Sequence, residues 1–195
     1  MDEHERRIVL IGGGTRSGKS SFAVELGQSF GERRAFVATA RPTDEEMRAR
    51  IDRHRRDRQD TYTTFEETLD LPTAVRSLVG YEVVVIDCLT LWLSNLLLRR
   101  DSAEAILERV DDLVRVLQER HFHTVLVTNE VGMSVHPGTA LGRAFVDICG
   151  FAHQRLARAA DEVYLAILGT VIRIRSGRDR GFIPAFAPSA ELGGG

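Results

Sequence analysis

The chain alternates short apolar runs with stretches of helical period. Ile8–Ile11, Ala35–Ala40, Val83–Asp87 and Thr124–Glu130 are dominated by continuous apolar positions. Runs without polar alternation suit strands covered on both faces. Thr61–Thr64 is a weaker, polar-aromatic candidate for a strand or loop. Ser21–Leu26 opens a helix expected to reach about Phe30, with Gly31 as C-cap. Thr43 and Glu46 form a capping box for a helix with Met47, Ile51, His54 and Arg58 on one face. Leu89–Leu98 reads as an apolar helix with Asn95 inside it. Asp101 and Glu104 suggest a second capping box, before a helix burying Ile106, Leu107, Val110, Leu113, Val114 and Leu117. A long helix from about Leu141 to Ala160 would bury Phe145, Ile148, Cys149, Ala152 and Leu156. Val163–Leu168 and Val171–Ile174, joined through Gly169-Thr170, read as a hairpin. The alternation predicts one α/β domain over residues 1–175, with a mostly parallel sheet flanked by helices and an antiparallel C-terminal hairpin strand. Residues 176–195, rich in Gly, Pro and Ala, are expected to form a loosely ordered tail.

Composition narrows the setting. The 195 residues carry a formal net charge of −2, which gives no polyanion-binding signature, so nucleic acid is not an expected partner. Cys88 and Cys149 lie in apolar surroundings without metal-ligand spacing and read as reduced core residues. The N-terminus has no apolar signal-like region, and Leu89–Leu98, interrupted by Thr90, Ser94 and Asn95, is too short to span a bilayer. A cytoplasmic protein without a membrane span is expected.

The chemistry begins where the first apolar run meets glycine. Gly13, Gly18, Lys19 and Ser20 fit the phosphate-loop spacing G-x-x-x-x-G-K-[ST] between a strand and a helix. Glycines allow backbone N–H groups to face phosphate oxygens, and the helix that follows adds its positive dipole end. Lys19 supplies a compact charge for the β/γ-phosphates, and the Ser20 hydroxyl suits Mg²⁺. Lys19 is the only lysine in the chain, and the other 25 basic residues are arginine. The fold is therefore expected to be P-loop NTPase-like.

Asp87 ends an apolar strand and resembles the acid that holds Mg²⁺ beside a phosphate loop; a helix N-cap is its alternative role. His54 lies among Arg55, Arg56 and Arg58, which could neutralise phosphate oxygens while a neutral imidazole attacks phosphorus. The same arginines also suit a solvated face, because six acids accompany seven arginines from Arg41 to Asp60. Glu66, Asn129 and Glu130 are weaker candidates for ribose, Mg²⁺ or substrate hydroxyl contacts. His121 and His123 are expected at the surface. Val131–Gly142 reads as a loop over the site.

Several longer runs resemble one family. They are Gly13–Ser20, Ala38-Thr39-Ala40, Arg50–Arg55, Ile86–Leu96, Val127–Met133, Gln154–Ala157 and Ala160–Val163, spread in order over about residues 8 to 169. Together they resemble the bifunctional adenosylcobinamide kinase/adenosylcobinamide-phosphate guanylyltransferase family of cobalamin synthesis. The resemblance implies two steps. The first phosphorylates adenosylcobinamide with ATP or GTP. The second moves GMP from GTP onto adenosylcobinamide phosphate through a guanylylated histidine, releasing pyrophosphate. His54 matches that histidine. Nucleotide contacts would fall on Gly13, Gly14, Thr15, Arg16, Ser17, Gly18, Lys19, Ser20, Ala38, Thr39, Ala40, Arg55, Arg56, Asp57, Arg58, Glu66 and Asp87, with Mg²⁺ at Ser20 and Asp87. The resemblance also implies a homotrimer. Tyr62 stands where relatives commonly have Trp, and the chain beyond Arg173 extends past the family core. Two other readings stay open from the residues alone: a small-molecule P-loop kinase without nucleotidyl transfer, and a GTP-dependent regulatory switch. The corrinoid would sit near the Val131–Gly142 loop or a subunit boundary.

Overall fold

The computed structural model describes residues 6–41, 45, 61–135 and 137–177. A seven-stranded sheet forms its centre. In chain order the elements are β1 (Ile8–Gly13), α1 (Lys19–Gln28), β2 (Arg34–Ala38), β3 (Thr63–Glu66), α2 (Leu71–Arg76), β4 (Val83–Asp87), α3 (Leu89–Leu98), α4 (Ala103–Gln118), β5 (His123–Val127), α5 (Ala140–Ala159), β6 (Glu162–Ile167) and β7 (Thr170–Arg175). The spatial order is β3-β2-β4-β5-β1-β6-β7. All neighbours pair parallel except β6 and β7. The mostly parallel sheet with an antiparallel last strand is as expected.

The apolar runs are continuous because both sheet faces are covered. Ile8 and Leu10 join one core with α2 to α5, whereas Val9 and Ile11 join a second with α1 residues such as Ala23. Alternate side chains of a strand point to opposite faces, so a strand buried twice has no polar phase.

Polar tethers fix how the helices sit on the sheet. Asn95, buried on α3, donates to the Thr39 carbonyl at 2.9 Å and to the Thr68 carbonyl at 3.1 Å. The Trp92 indole donates to the Leu69 carbonyl at 2.9 Å. Asp161 accepts from the Ile8 amide at 2.8 Å and from both terminal nitrogens of Arg120 at 2.9 and 3.0 Å. Burial pushes the Asp161 carboxyl upward, but Arg120 and that amide outweigh it and hold the group below its ordinary range.

Some local expectations need correction. Helix α4 is capped by Ser102, whose hydroxyl accepts from the Ala105 amide at 3.2 Å, rather than by Asp101. Asp101 instead pairs with Arg99. Leu107, Val114 and Phe145 are only partly buried, while Val116 joins the α4 core face. His123 is not a surface ring. It stacks on Phe30 with centroids 4.5 Å apart, and its Nδ1 accepts from the Arg7 amide at 3.2 Å. Apart from Glu45, the helix expected from Thr43 onward lies outside the described residues, as do residues 178–195 of the tail.

Candidate nucleotide site

Parallel pairing brings the carboxyl ends of five strands to one edge. Register runs from Glu66 to Ala38, from Ala38 to Asp87, from Asp87 to Val127 and from Val127 to Ile11. Loops leaving such an edge are where α/β sheets bind ligands. Asp87 stands two strands from the one carrying the phosphate loop, or roughly 10 Å at ordinary strand spacing. That span leaves room for a phosphate group and its counter-ion.

Residues Gly14–Gly18 link β1 to α1. The first motif glycine is required by its neighbour, since a Cβ on Gly13 would come within 2.4 Å of the Ala166 carbonyl oxygen on β6. Gly18 starts α1 with φ 93°, a conformation that costs glycine little. Ser17 donates its amide to the Gly14 carbonyl at 3.3 Å. Lys19 folds over the loop, 5% exposed, and its Nζ donates to the Gly14 carbonyl at 2.9 Å. Its ammonium is therefore held over the phosphate loop. Ser20 follows at the second position of α1 and is half-buried. The Ser17 hydroxyl is buried without a hydrogen-bond partner among the described residues.

Asp87 is half-buried at the end of β4. The N-cap of α3 is Cys88, which makes no side-chain cap bond, so Asp87 does not play the capping role. The peptide between Asp87 and Cys88 is cis. Buried Thr39 braces this turn: its hydroxyl accepts from the Cys88 amide at 2.8 Å and donates to the Cys88 carbonyl at 2.7 Å. Thr39 thus supports the Asp87 turn from within. Burial, reinforced by the Asp87 charge, pushes the Cys88 thiol upward, and burial takes Cys149 up to about 12. Both are free, buried thiols poorly suited to nucleophilic work.

Glu66 is exposed at the end of edge strand β3. Tyr62 is a core side chain: its hydroxyl donates to the Val24 carbonyl at 2.7 Å, its ring meets Phe36 edge-on, and burial raises its pKa to about 12. His54, Arg55, Arg56, Asp57 and Arg58 lie outside the described residues. Among the described residues no cluster of three His, Cys, Asp or Glu could hold a metal.

One network escaped the sequence. Thr90 Oγ1 accepts from the Asn129 amide at 2.8 Å and lies 2.8 Å from Thr128 Oγ1. Thr128 Oγ1 in turn lies 2.6 Å from His153 Nε2, and His153 Nδ1 stands 3.9 Å from Glu130 Oε2. Burial lowers the His153 pKa, and the Glu130 charge opposes it only in part. The strand-end position of Asn129 and Glu130 was visible, but nothing marked His153 within the polar positions of α5.

A family model described as cobinamide kinase / cobinamide phosphate guanyltransferase matches residues 9–174. The chain belongs to this family. The bifunctional adenosylcobalamin biosynthesis protein CobU of Escherichia coli (strain K12) is 36% identical over 182 residues, covering 86% of this chain and 99% of the relative. The corresponding protein CobP of Pseudomonas aeruginosa is 40% identical over 161 residues, covering 82% and 92%. Among solved structures, one described as an ATPase domain aligns with TM-score 0.53 at 13% identity, over 89% of this chain and 78% of that one. That likeness concerns the P-loop NTPase fold alone. This member of the cobinamide kinase/guanyltransferase family sets the phosphate loop, the Asp87 turn and Thr128-Asn129-Glu130 along one edge.

Proposed function

We propose that this enzyme phosphorylates adenosylcobinamide with ATP or GTP and then transfers GMP from GTP to the resulting phosphate. The observation that carries the reading is a complete phosphate loop beside Asp87 on one sheet edge, in a chain matched by the family over residues 9–174. In the kinase step the substrate hydroxyl attacks the γ-phosphorus and the nucleoside diphosphate leaves. Such a step depends mainly on positioning and charge neutralisation. Lys19, held over the loop, supplies a compact cation for the β/γ-phosphates, and the N-terminus of α1 adds its dipole.

Transfer of GMP needs a nucleophile. A neutral nitrogen of His54 attacks the α-phosphorus of GTP, and the departing pyrophosphate takes the bonding pair. A phosphate oxygen of adenosylcobinamide phosphate then attacks the same phosphorus, and the nitrogen–phosphorus bond breaks. An ordinary imidazole, with pKa about 6.5, is largely neutral near pH 7. GTP contacts are assigned to the phosphate loop, to Ala38–Ala40, to Arg55–Arg58, and to Glu66 and Asp87.

The Ser20 hydroxyl and the Asp87 carboxylate form a hard oxygen donor set that fits Mg²⁺. Bound there, Mg²⁺ would neutralise phosphate charge. A homotrimer in the cytoplasm belongs to the same reading. No helix among the described residues is long and apolar enough to cross a membrane.

The kinase half is tested by supplying adenosylcobinamide with γ-labelled ATP or GTP. Labelled adenosylcobinamide phosphate is expected; a folded, nucleotide-binding protein that transfers no label would contradict the reading.

A further inference from the structure

We propose that Glu130 accepts the proton of the substrate hydroxyl in the kinase step, and that the turn after it forms the acceptor side of the site. The inference rests on the kinase reading above. Its first support is position. The Glu130 amide donates to the Gly13 carbonyl at 3.0 Å, so the backbone of β5 delivers this residue against the first glycine of the phosphate loop. The other described carboxylates at this edge are placed for other work. Glu66 lies on the far edge strand, and Asp87 sits two strands from the loop. Glu67 spends Oε1 on the amides of Leu69 and Asp70, at 2.6 and 2.8 Å.

Orientation is the second support. Glu130 Oε1 accepts from the Gly132 amide at 2.7 Å, and Oε2 faces the His153 ring. A chain of polar contacts backs that ring. The Asn129 amide donates to Thr90 Oγ1, which lies 3.2 Å from the Asn129 carbonyl and 2.8 Å from Thr128 Oγ1. Thr128 Oγ1 lies 2.6 Å from His153 Nε2, so the ring is held with Nδ1 toward Glu130. The carboxylate is thereby aimed from two sides, yet about a third of its side chain stays open.

The third support is the turn itself. Met133 and Val135 are 80% and 92% exposed immediately after Glu130. Exposed apolar side chains following that carboxylate offer a surface against which the body of an acceptor alcohol can pack. In the step, the hydroxyl oxygen forms its bond to the γ-phosphorus while its proton passes to a Glu130 carboxylate oxygen. The bond from phosphorus to the bridging oxygen breaks, and the nucleoside diphosphate leaves with that electron pair. Solvent then removes the proton from Glu130.

Glu130→Gln keeps the shape and removes the basic oxygen. General-base assistance is commonly worth about 10²–10⁴-fold. The expected result with adenosylcobinamide and γ-labelled GTP is a loss of kcat in that range with KM for GTP changed less than about threefold. Labelling of the protein by α-labelled GTP, which needs no acceptor hydroxyl, should remain. Glu130→Asp, which keeps a base of shorter reach, should recover part of kcat. Glu130→Gln with kcat within about tenfold of wild type would overturn the proposal and leave the kinase reading standing. Equal loss of kinase activity and labelling would also overturn it, by making Glu130 a general support of the site. A wild type that phosphorylates no adenosylcobinamide would bring down both readings.

Discussion

In the proposed reactions Lys19 is the side chain that meets the phosphates. It is buried over the loop, and arginine's broad planar fork could not replace its compact ammonium. Both proposed reactions place a nucleoside triphosphate on this loop. Lys19→Ala should therefore lower kinase and guanylyl-transfer rates together, each by about 10²-fold or more, on the scale of losing one strong electrostatic group. Steady-state assays of both steps check this; a variant impaired in only one step would contradict a shared phosphate site. The phosphate loop was legible because glycine, lysine and serine at fixed spacing have few other uses. The role of Tyr62 was not, since an aromatic residue looks the same whether it meets a base or, as here, closes over α1 onto Phe36.

At the scale of elements, the parallel strands could be read because burial on two faces removes every polar position. Caps were harder. Asp101 and Ser102 are adjacent and both suit an N-cap, and only the backbone shows that Ser102 takes the Ala105 amide. Long-range polar tethers left no periodic trace. Asn95 looked like an interruption in an apolar helix, but it ties α3 to the carbonyls of Thr39 and Thr68. Those carbonyls flank the β2 end of the site. Asn95→Ala should cost about 1–3 kcal/mol, the range for leaving buried partners unpaired. Chemical denaturation would report that loss, and an unchanged unfolding midpoint would show that the tether carries no stability. His153 eluded the sequence for the same reason, since its partners Thr128 and Glu130 lie in the segment that follows β5.

Across the molecule, two histidines link stability to pH. Burial lowers the pKa of His123, aided by Arg6 and Arg7, and burial also lowers that of His153. The unfolded chain then binds more protons than the folded one once pH falls below about 6.5. Stability contributed by these rings is full above that value and is lost as pH drops through it toward their folded values. The denaturation midpoint should fall between pH 7.5 and pH 5.5, and replacing His123 with Phe should reduce the slope. A pH-independent midpoint over that interval would contradict the assignment. Asp161 acts in a separate, more acidic window, because its lowered pKa contributes stability above about pH 3.9 that disappears below it.

The central claim is that one molecule combines a phosphate loop with a histidine that carries GMP, and the most direct measurement is covalent labelling. The protein and its His54→Ala variant are incubated with Mg²⁺ and GTP labelled at the α-phosphate, denatured and separated. An acid-labile, alkali-stable label on the wild type alone is expected, with the variant keeping kinase activity. An unlabelled wild type that is folded and binds GTP, or a variant that labels as well as the wild type, would contradict the account.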